Sequence, residues 1–319
     1  MSRRPAPLPE TLPWRVFTRA EALGAGISLG RLRASDLVGL RPGLFARRGD
    51  RIEEGDALAA LCRHDPSVVG VGLTAARLRD FPLPREHQSW TIDTPLHIAS
   101  QTGRRRSGGA LIAHRRALPH EHVESTEYRQ GGSTLRSPLR VTTPARTWHD
   151  LGAELAEWRL VSIGDHLVRH PRPGLEGRWE PWCEPRELKD LCTGPHAPVL
   201  RKATQRIRVG SDSPMETLLR LAFEGAGLPA PLLNVPLRDA QNRGHHEPDF
   251  QWPRFGLCAE YDGRTHAAPT QVSRDIARSL SAERAGFREL RFGAEDAAGG
   301  GRRAVARLRQ ALHEQGWRD

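Results

Sequence analysis

From Ser213 to the C-terminus the chain divides into seven short segments, and their order restricts the fold more than any other feature. Ser213-Pro214-Met215-Glu216 has the chemistry of a helix start. Ser213 can cap the first turn, Pro214 occupies the position where a missing N–H costs nothing, and Glu216 stands at the capping-box position. This helix is expected to run to about Ala226 and stop at Gly227. Leu232 to Leu237 then reads as a strand, Asp239 to Gly244 as a turn, His245 to Trp252 as a second strand and Gly256 to Asp262 as a third. A helix from about Gln271 to Ala285, a strand from Phe287 to Phe292 and a helix from Arg302 to Gln315 complete the order αβββαβα.

Side chains alternate across a strand with period two. Cys258, Glu260 and Asp262 therefore share one face of the third strand, and His245, Glu247 and Asp249 share a face of the second. If these strands pair antiparallel, Asp249 meets Glu260 or Asp262 at one sheet edge, and His266 follows in the next loop. Aspartate is disfavoured in strands, so acids gathered there need another explanation. Such a cluster repels itself unless a hard cation neutralises it. Oxygen donors with room for water suit Mg²⁺ or Mn²⁺, and metal-assisted phosphodiester hydrolysis is the reaction they would serve. The expected metal ligands are Asp249, Glu260 and Asp262. His266 is assigned to proton transfer and Glu216 to orienting the attacking water. His245 and His246 are expected at a solvated strand edge.

The charge balance agrees with an anionic partner. The formal net charge is +10 and the pI about 10.6, which favours nucleic acid first and a membrane surface second. Arginine carries nearly all of it, because Lys189 and Lys202 are the only lysines, and a GC-rich coding bias would produce the same excess. A membrane-spanning segment is not expected: the longest apolar stretch, near Val68 to Ala76, falls far short of the about 20 residues required. Met1 to Trp14 is proline-rich and lacks the apolar region of a secretory signal. Cys62, Cys183, Cys192 and Cys258 have no metal-binding spacing and read as reduced thiols. The expectation is a cytoplasmic bacterial protein.

Three blocks precede the C-terminal one, at residues 14–56, 57–150 and 151–210, with 211–319 as the fourth. In the first, Thr18 and Glu21 form a capping box for a helix over Phe17 to Gly24. A second helix is expected over Gly26 to Arg33 with Ser28 as its cap, and a hairpin with a Pro-Gly turn over Val38 to Gly49. Helix, turn, helix, hairpin is the order of a winged helix-turn-helix. Ser28, Arg31 and Arg33 would lie on its recognition helix, with Arg47 and Arg48 on the wing. In the mixed α/β second block, Ser67 to Arg79 reads as a buried helix, and His97 to Ala99 and Leu111 to His114 as strands. Arg104, Arg105 and Arg106 form a basic loop suited to phosphate contact. Thr143-Pro144 opens another helix. The third block reads as a helical linker region interrupted at His170 to Pro185. The whole is an α/β, or α+β multi-domain, chain.

The block from Ser213 to Trp317 resembles the restriction-endonuclease-like, PD-(D/E)XK, superfamily, and within it the very-short-patch-repair-like group. The resemblance is carried by Glu216, by Pro248-Asp249-Phe250, by Glu260-Tyr261-Asp262-Gly263 with His266, by Arg274-Asp275 with Arg278, and by Gly286 to Arg291. It implies a metal-dependent DNA endonuclease in which Arg274 and Arg278 would contact substrate phosphates. The superfamily's usual lysine is replaced by Asp262, and no lysine follows Lys202. The very-short-patch-repair group uses histidine instead, which falls on His266; its other histidine would align with Asp262. Residues 14–151 resemble the winged-helix antitoxin region of the AbiEi type, through Phe17 to Ala22, Gly26-Ile27-Ser28, Arg41 to Ala46 and Thr142 to Thr147 with Asp150-Leu151. That resemblance implies an alternative: a DNA-binding regulator or antitoxin of a type IV toxin–antitoxin system, with a toxin partner and a non-catalytic nuclease-like fold. RNA fits less well, since the few aromatics show no stacking pattern.

Overall fold

A computed structural model describes residues 5–40, 43–100, 111–114, 118–130, 135–263 and 278–318. The chain is mixed α/β and divides into two compact units, residues 1–154 and 155–319.

In the first unit, β1 (Val16–Thr18), β3 (Leu44–Arg47) and β2 (Leu37–Leu40) form an antiparallel sheet in that order. Helix α1 (Arg19–Gly24) starts at Thr18, whose side chain accepts from Glu21 N while Glu21 accepts from Thr18 N. The hairpin β2–β3 matches its expectation. The second helix does not: Gly26 to Arg33 contains only a 3₁₀ turn at Arg31–Arg33. Gly26 sits at φ +79°, a conformation no α-helix contains, and Gly30 adds a backbone entropy cost that so short a helix could not offset. Ser28 still caps the turn, accepting from Arg31 N at 3.2 Å.

The remainder of this unit is a five-stranded sheet in the order β6 (Leu111–His114), β5 (Leu96–Ser100), β4 (Val68–Gly70), β8 (Arg136–Thr142), β7 (Val123–Arg129). Helix α2 (Glu54–His64) presses Leu58 and Leu61 into a core that also takes Val16 and Leu44 from the small sheet and Leu96 and Val141 from the large one. The segments 14–56 and 57–150 thus share one core. The buried helix expected over Ser67 to Arg79 is a strand, β4, followed by α3 (Gly72–Leu78). β-Branched Val68 and Val69 lie in the middle of the sheet, and a strand buried on both faces reads as a continuous apolar run. After α4 (Arg85–Gln88) and the strands, α5 (Pro144–Asp150) begins at Thr143, which accepts from Arg146 N as expected.

The second unit opens with helices α6 (Glu157–Val168), α7 (Pro173–Glu176), α8 (Pro185–Asp190) and α9 (Ala197–Arg206). Helix α10 (Pro214–Gly225) packs on α6 through a buried ion pair, Arg220 to Asp165 at 2.7 Å, to which Thr217 adds a hydrogen bond at 2.7 Å. The sheet that follows has the order β12 (Arg288–Phe292), β11 (Leu257–Tyr261), β10 (Phe250–Trp252), β9 (Leu232–Leu233). β11 pairs antiparallel with β10 and parallel with β12. A helix, α11, is described over residues 278–284, and α12 (Ala294–Glu314) closes the unit, with non-helical backbone at Ala298–Gly301. The order is the expected αβββαβα. The first two strands are shorter than expected by several residues. Asn234 at φ +46° and Pro236 end β9, and residues 245–249, with Pro248 among them, are not strand because proline cannot donate to a ladder. Leu257, Ala259, Phe250, Trp252, Leu290 and Phe292 face α10 and α12, while Cys258 faces Ala282 of α11 and Leu237.

Candidate active site

The acids fall at the end of the β10–β11 pair away from the turn. Phe250 pairs with Ala259 and Gln251 with Cys258, so the chain just before β10 runs beside the end of β11. Asp249 lies there and accepts the Tyr261 N–H on Oδ2 at 2.7 Å. Burial pushes its carboxyl up to about 8, helped by the negative charges of Glu216, Glu260 and Asp212 and opposed by the Tyr261 hydrogen bond. Helix α10 supplies Glu216 from its first turn. That side chain is buried, and burial raises its pKa, although Asp212 N at 2.8 Å and Asn234 Nδ2 at 3.0 Å both donate to it. The Ser213 cap sets the phase of the helix that brings it here.

Glu260 is the third acid and behaves differently. Burial pushes its pKa up, but His246, Arg278 and Arg291 outweigh burial and hold it below the usual range. Arg278 Nη1 reaches Glu260 Oε2 at 3.4 Å and is itself half exposed. Asp249 therefore lies beside Glu260 across the β10–β11 pair, and helix α10 brings Glu216 near Asp249. Asp262 follows the end of the strand at Tyr261 and is exposed, with its N–H on Phe292 O at 2.8 Å. His266 and Arg274 lie outside the described residues.

Two neighbours of Glu260 escaped the alternation argument. His246 was expected at a solvated edge; its side chain is 15 % exposed, and Nε2 stands 3.5 Å from Glu260 Oε1. Because residues 245–249 are not strand, period two does not govern which way His246 faces. Glu289 lies on β12 opposite Cys258, on the face away from Leu290 and Phe292. Alternation along Arg288–Phe292 with parallel pairing to β11 would have revealed it. His246, Glu260 and Glu289 bring their ligand atoms within 4.8 Å of one another.

The expected DNA-contacting residues of the first unit are distributed unevenly. Arg31 is engaged: its guanidinium forms two hydrogen bonds to Asp36, at 2.8 and 2.7 Å, and donates through Nε to Ala6 O at 2.8 Å. It sits in a 3₁₀ turn rather than on a recognition helix. Arg33 and Ser28 are exposed and Arg47 is half-exposed. Arg48 is exposed and donates through Nε to Ser35 O at 2.7 Å. Arg104, Arg105 and Arg106 lie outside the described residues. None of the four cysteines is in a disulfide. Among the described residues no helix is long and apolar enough to cross a membrane.

Comparison with protein-family models gives no match to this chain, and comparison with curated proteins gives none either.

Proposed function

We propose that residues 211–319 form a metal-dependent DNA endonuclease domain of the restriction-endonuclease-like kind, nearest in its motifs to the very-short-patch-repair-like group, and that the first unit delivers it to DNA as a winged-helix region of the AbiEi-like kind. The observation that carries this reading is Asp249. It is a buried acid set against three more acids, Glu216, Glu260 and Asp212, and no described basic side chain pairs with it. Burial of unpaired negative charge is costly, and a hard divalent cation is the partner whose chemistry offsets it.

The donor set fits such an ion. Asp249 and Glu260 would hold Mg²⁺ or Mn²⁺, Asp249 having no described hydrogen-bond partner on Oδ1. When bound, the ion supplies charge neutralisation and polarisation of the scissile phosphodiester. Glu216, fixed by Asn234 and the Asp212 N–H, would orient the attacking water. Arg278, exposed beside Glu260, is placed to meet a phosphate. Asp262, exposed just after β11, is the alternative ligand to Glu260. In the first unit Arg33, Arg47 and Arg48 are the candidates for backbone phosphates, while Arg31 serves the fold through Asp36. Cysteines outside any disulfide suit a cytoplasmic location.

The test is a nuclease assay on the purified full chain with single-stranded, duplex, mismatched and branched DNA, in Mg²⁺, Mn²⁺ or EDTA. Metal-dependent cutting that disappears in Asp249→Asn is expected. Cutting that survives the substitution would assign it to another site or a contaminant. Salt-sensitive duplex binding without cutting would favour the alternative, a regulator or antitoxin with a toxin partner.

A further inference from the structure

Glu260 faces two ways. Towards Asp249 and Glu216 it completes an all-carboxylate set. Towards α11 and β12 it meets His246 and Glu289, a donor set of different chemistry. The three ligand atoms lie within 4.8 Å of one another, a spacing that small side-chain rotations convert to a coordination sphere of about 2.0–2.2 Å bonds.

Unsatisfied atoms point to what is missing there. Neither ring nitrogen of His246 makes a hydrogen bond, Nε2 standing at ion-pair distance, 3.5 Å, from Glu260 Oε1, and Oε1 of Glu289 is also buried without a hydrogen-bond partner. The Glu289 side chain is only 9 % exposed. Buried polar atoms without partners are rare and call for an explanation. The outer oxygens, by contrast, are held. Ser279 Oγ donates to Glu289 Oε2, as does Arg291 Nε at 3.3 Å, and Arg278 reaches Glu260 Oε2 at 3.4 Å. Arg291 also donates to Ser279 Oγ at 3.0 Å. The backbone of His246 is fixed at both ends: its N–H donates to Ser281 Oγ at 3.5 Å and its carbonyl accepts from Leu237 N at 3.1 Å. One oxygen of each carboxylate is thus oriented by a neighbour, while Glu289 Oε1 and the imidazole nitrogens, which face Glu260, make no hydrogen bond. This is how outer contacts position the ligands of a metal.

We propose that His246, Glu260 and Glu289 form a site for a divalent transition metal of the Mn²⁺-to-Zn²⁺ series. One imidazole with two carboxylates selects that series over Mg²⁺, which favours oxygen donors and keeps its waters. Three protein ligands leave positions for water or substrate oxygen. The site shares Glu260 with the proposed catalytic edge, but its existence does not require that the chain cut DNA.

The experiment uses the metal-stripped full chain titrated with Co²⁺ in excess Mg²⁺, followed by visible absorption and by proton NMR of imidazole resonances shifted by the ion. The expected result is a saturable site at one equivalent with a shifted imidazole signal. His246→Asn and Glu289→Gln each weaken it at least about tenfold, and the shifted signal is lost in His246→Asn. Ser279→Ala weakens it by a smaller factor, since Ser279 only orients Glu289. Asp249→Asn leaves the site in place. Circular dichroism of each variant reports folding, and Ser279→Ala keeps the test decisive should a ligand variant fail to fold. No saturable binding by the wild type, binding unchanged in His246→Asn or Glu289→Gln, or equal loss in Asp249→Asn would each overturn the proposal. Failure of the nuclease reading would show separately, as absence of cutting with Co²⁺ binding intact.

Discussion

Glu54 in the first unit and Asp249 in the second are both buried acids, and their surroundings are opposite. Glu54 accepts hydrogen bonds from Arg77 Nε and Nη2 and from Thr74 Oγ1, each at 2.7 Å. Asp249 has one backbone N–H and three acids, Glu216, Glu260 and Asp212, for neighbours. Asp165 shows that the difference is not one between the two units. It lies in the second unit, yet Arg220 pairs with it at 2.7 Å and Thr217 and the Arg208 N–H add hydrogen bonds. An acid given a cation by the fold is part of the scaffold. An acid facing other acids is maintained at a cost to stability, the usual mark of a site that binds or reacts.

The sharpest way to break the comparison is to remove the cations. Arg77→Met and Arg220→Met would each leave a buried carboxylate unpaired and should cost about 3–5 kcal/mol, read by urea denaturation. Adding Glu54→Gln to Arg77→Met should restore most of the loss. A cost below about 1 kcal/mol would place these pairs with ordinary surface bridges and remove the contrast.

Next comes pH. Each unit also holds a histidine uncharged. Burial, with His114 and Arg77 nearby, pushes His97 down to about 4, and burial with Arg169 and Arg178 pushes His166 down to about 4. In the unfolded chain these imidazoles take up protons near pH 6.5, whereas the folded ones resist until about pH 4. The unfolded state therefore binds more protons in that window, and stability falls as pH drops through it, by at most roughly 3 kcal/mol per histidine. His97→Gln should flatten the slope for the first unit alone and His166→Gln for the second alone, measured by denaturation at several pH values.

A smaller effect is expected at Gly55. A methyl group there would collide with the Tyr128 ring, whose hydroxyl donates to Asp56 Oδ1 at 3.3 Å. Gly55→Ala should cost about 1–3 kcal/mol in thermal unfolding and leave metal binding by the second unit unchanged.

The fold was legible where its causes are local. Ser213-Pro214 and Thr18 with Glu21 cap their helices as their chemistry requires, and the order αβββαβα follows from turn residues and short apolar runs. It was illegible where distant neighbours decide. β7 is exposed along most of its length and offers no alternation, and Pro138 in β8 argues against a strand; both form because the sheet continues through β4. The same holds within the site. Glu260 was readable because β11 alternates regularly, and Asp249 because it immediately precedes β10, the antiparallel partner of β11. Asp262 was expected on the same face, but the strand ends one residue earlier. His246 lies in irregular backbone, and Glu289 reaches the site only through the parallel pairing of β11 with β12.

The most direct test of the central claim is the melting temperature of the second unit's transition in the full chain, wild type against Asp249→Asn, with and without Mg²⁺ at constant ionic strength. Without metal the variant should melt higher at pH 7, because the cost of burying a carboxyl whose pKa is pushed up to about 8 is gone. Saturating Mg²⁺ should raise the wild type, by about 2.7 kcal/mol of added stability at 100 times the Kd, and leave the variant unmoved. A variant that melts lower without metal, or that responds to Mg²⁺ as the wild type does, would show that the acids around Asp249 are held by the fold for another reason.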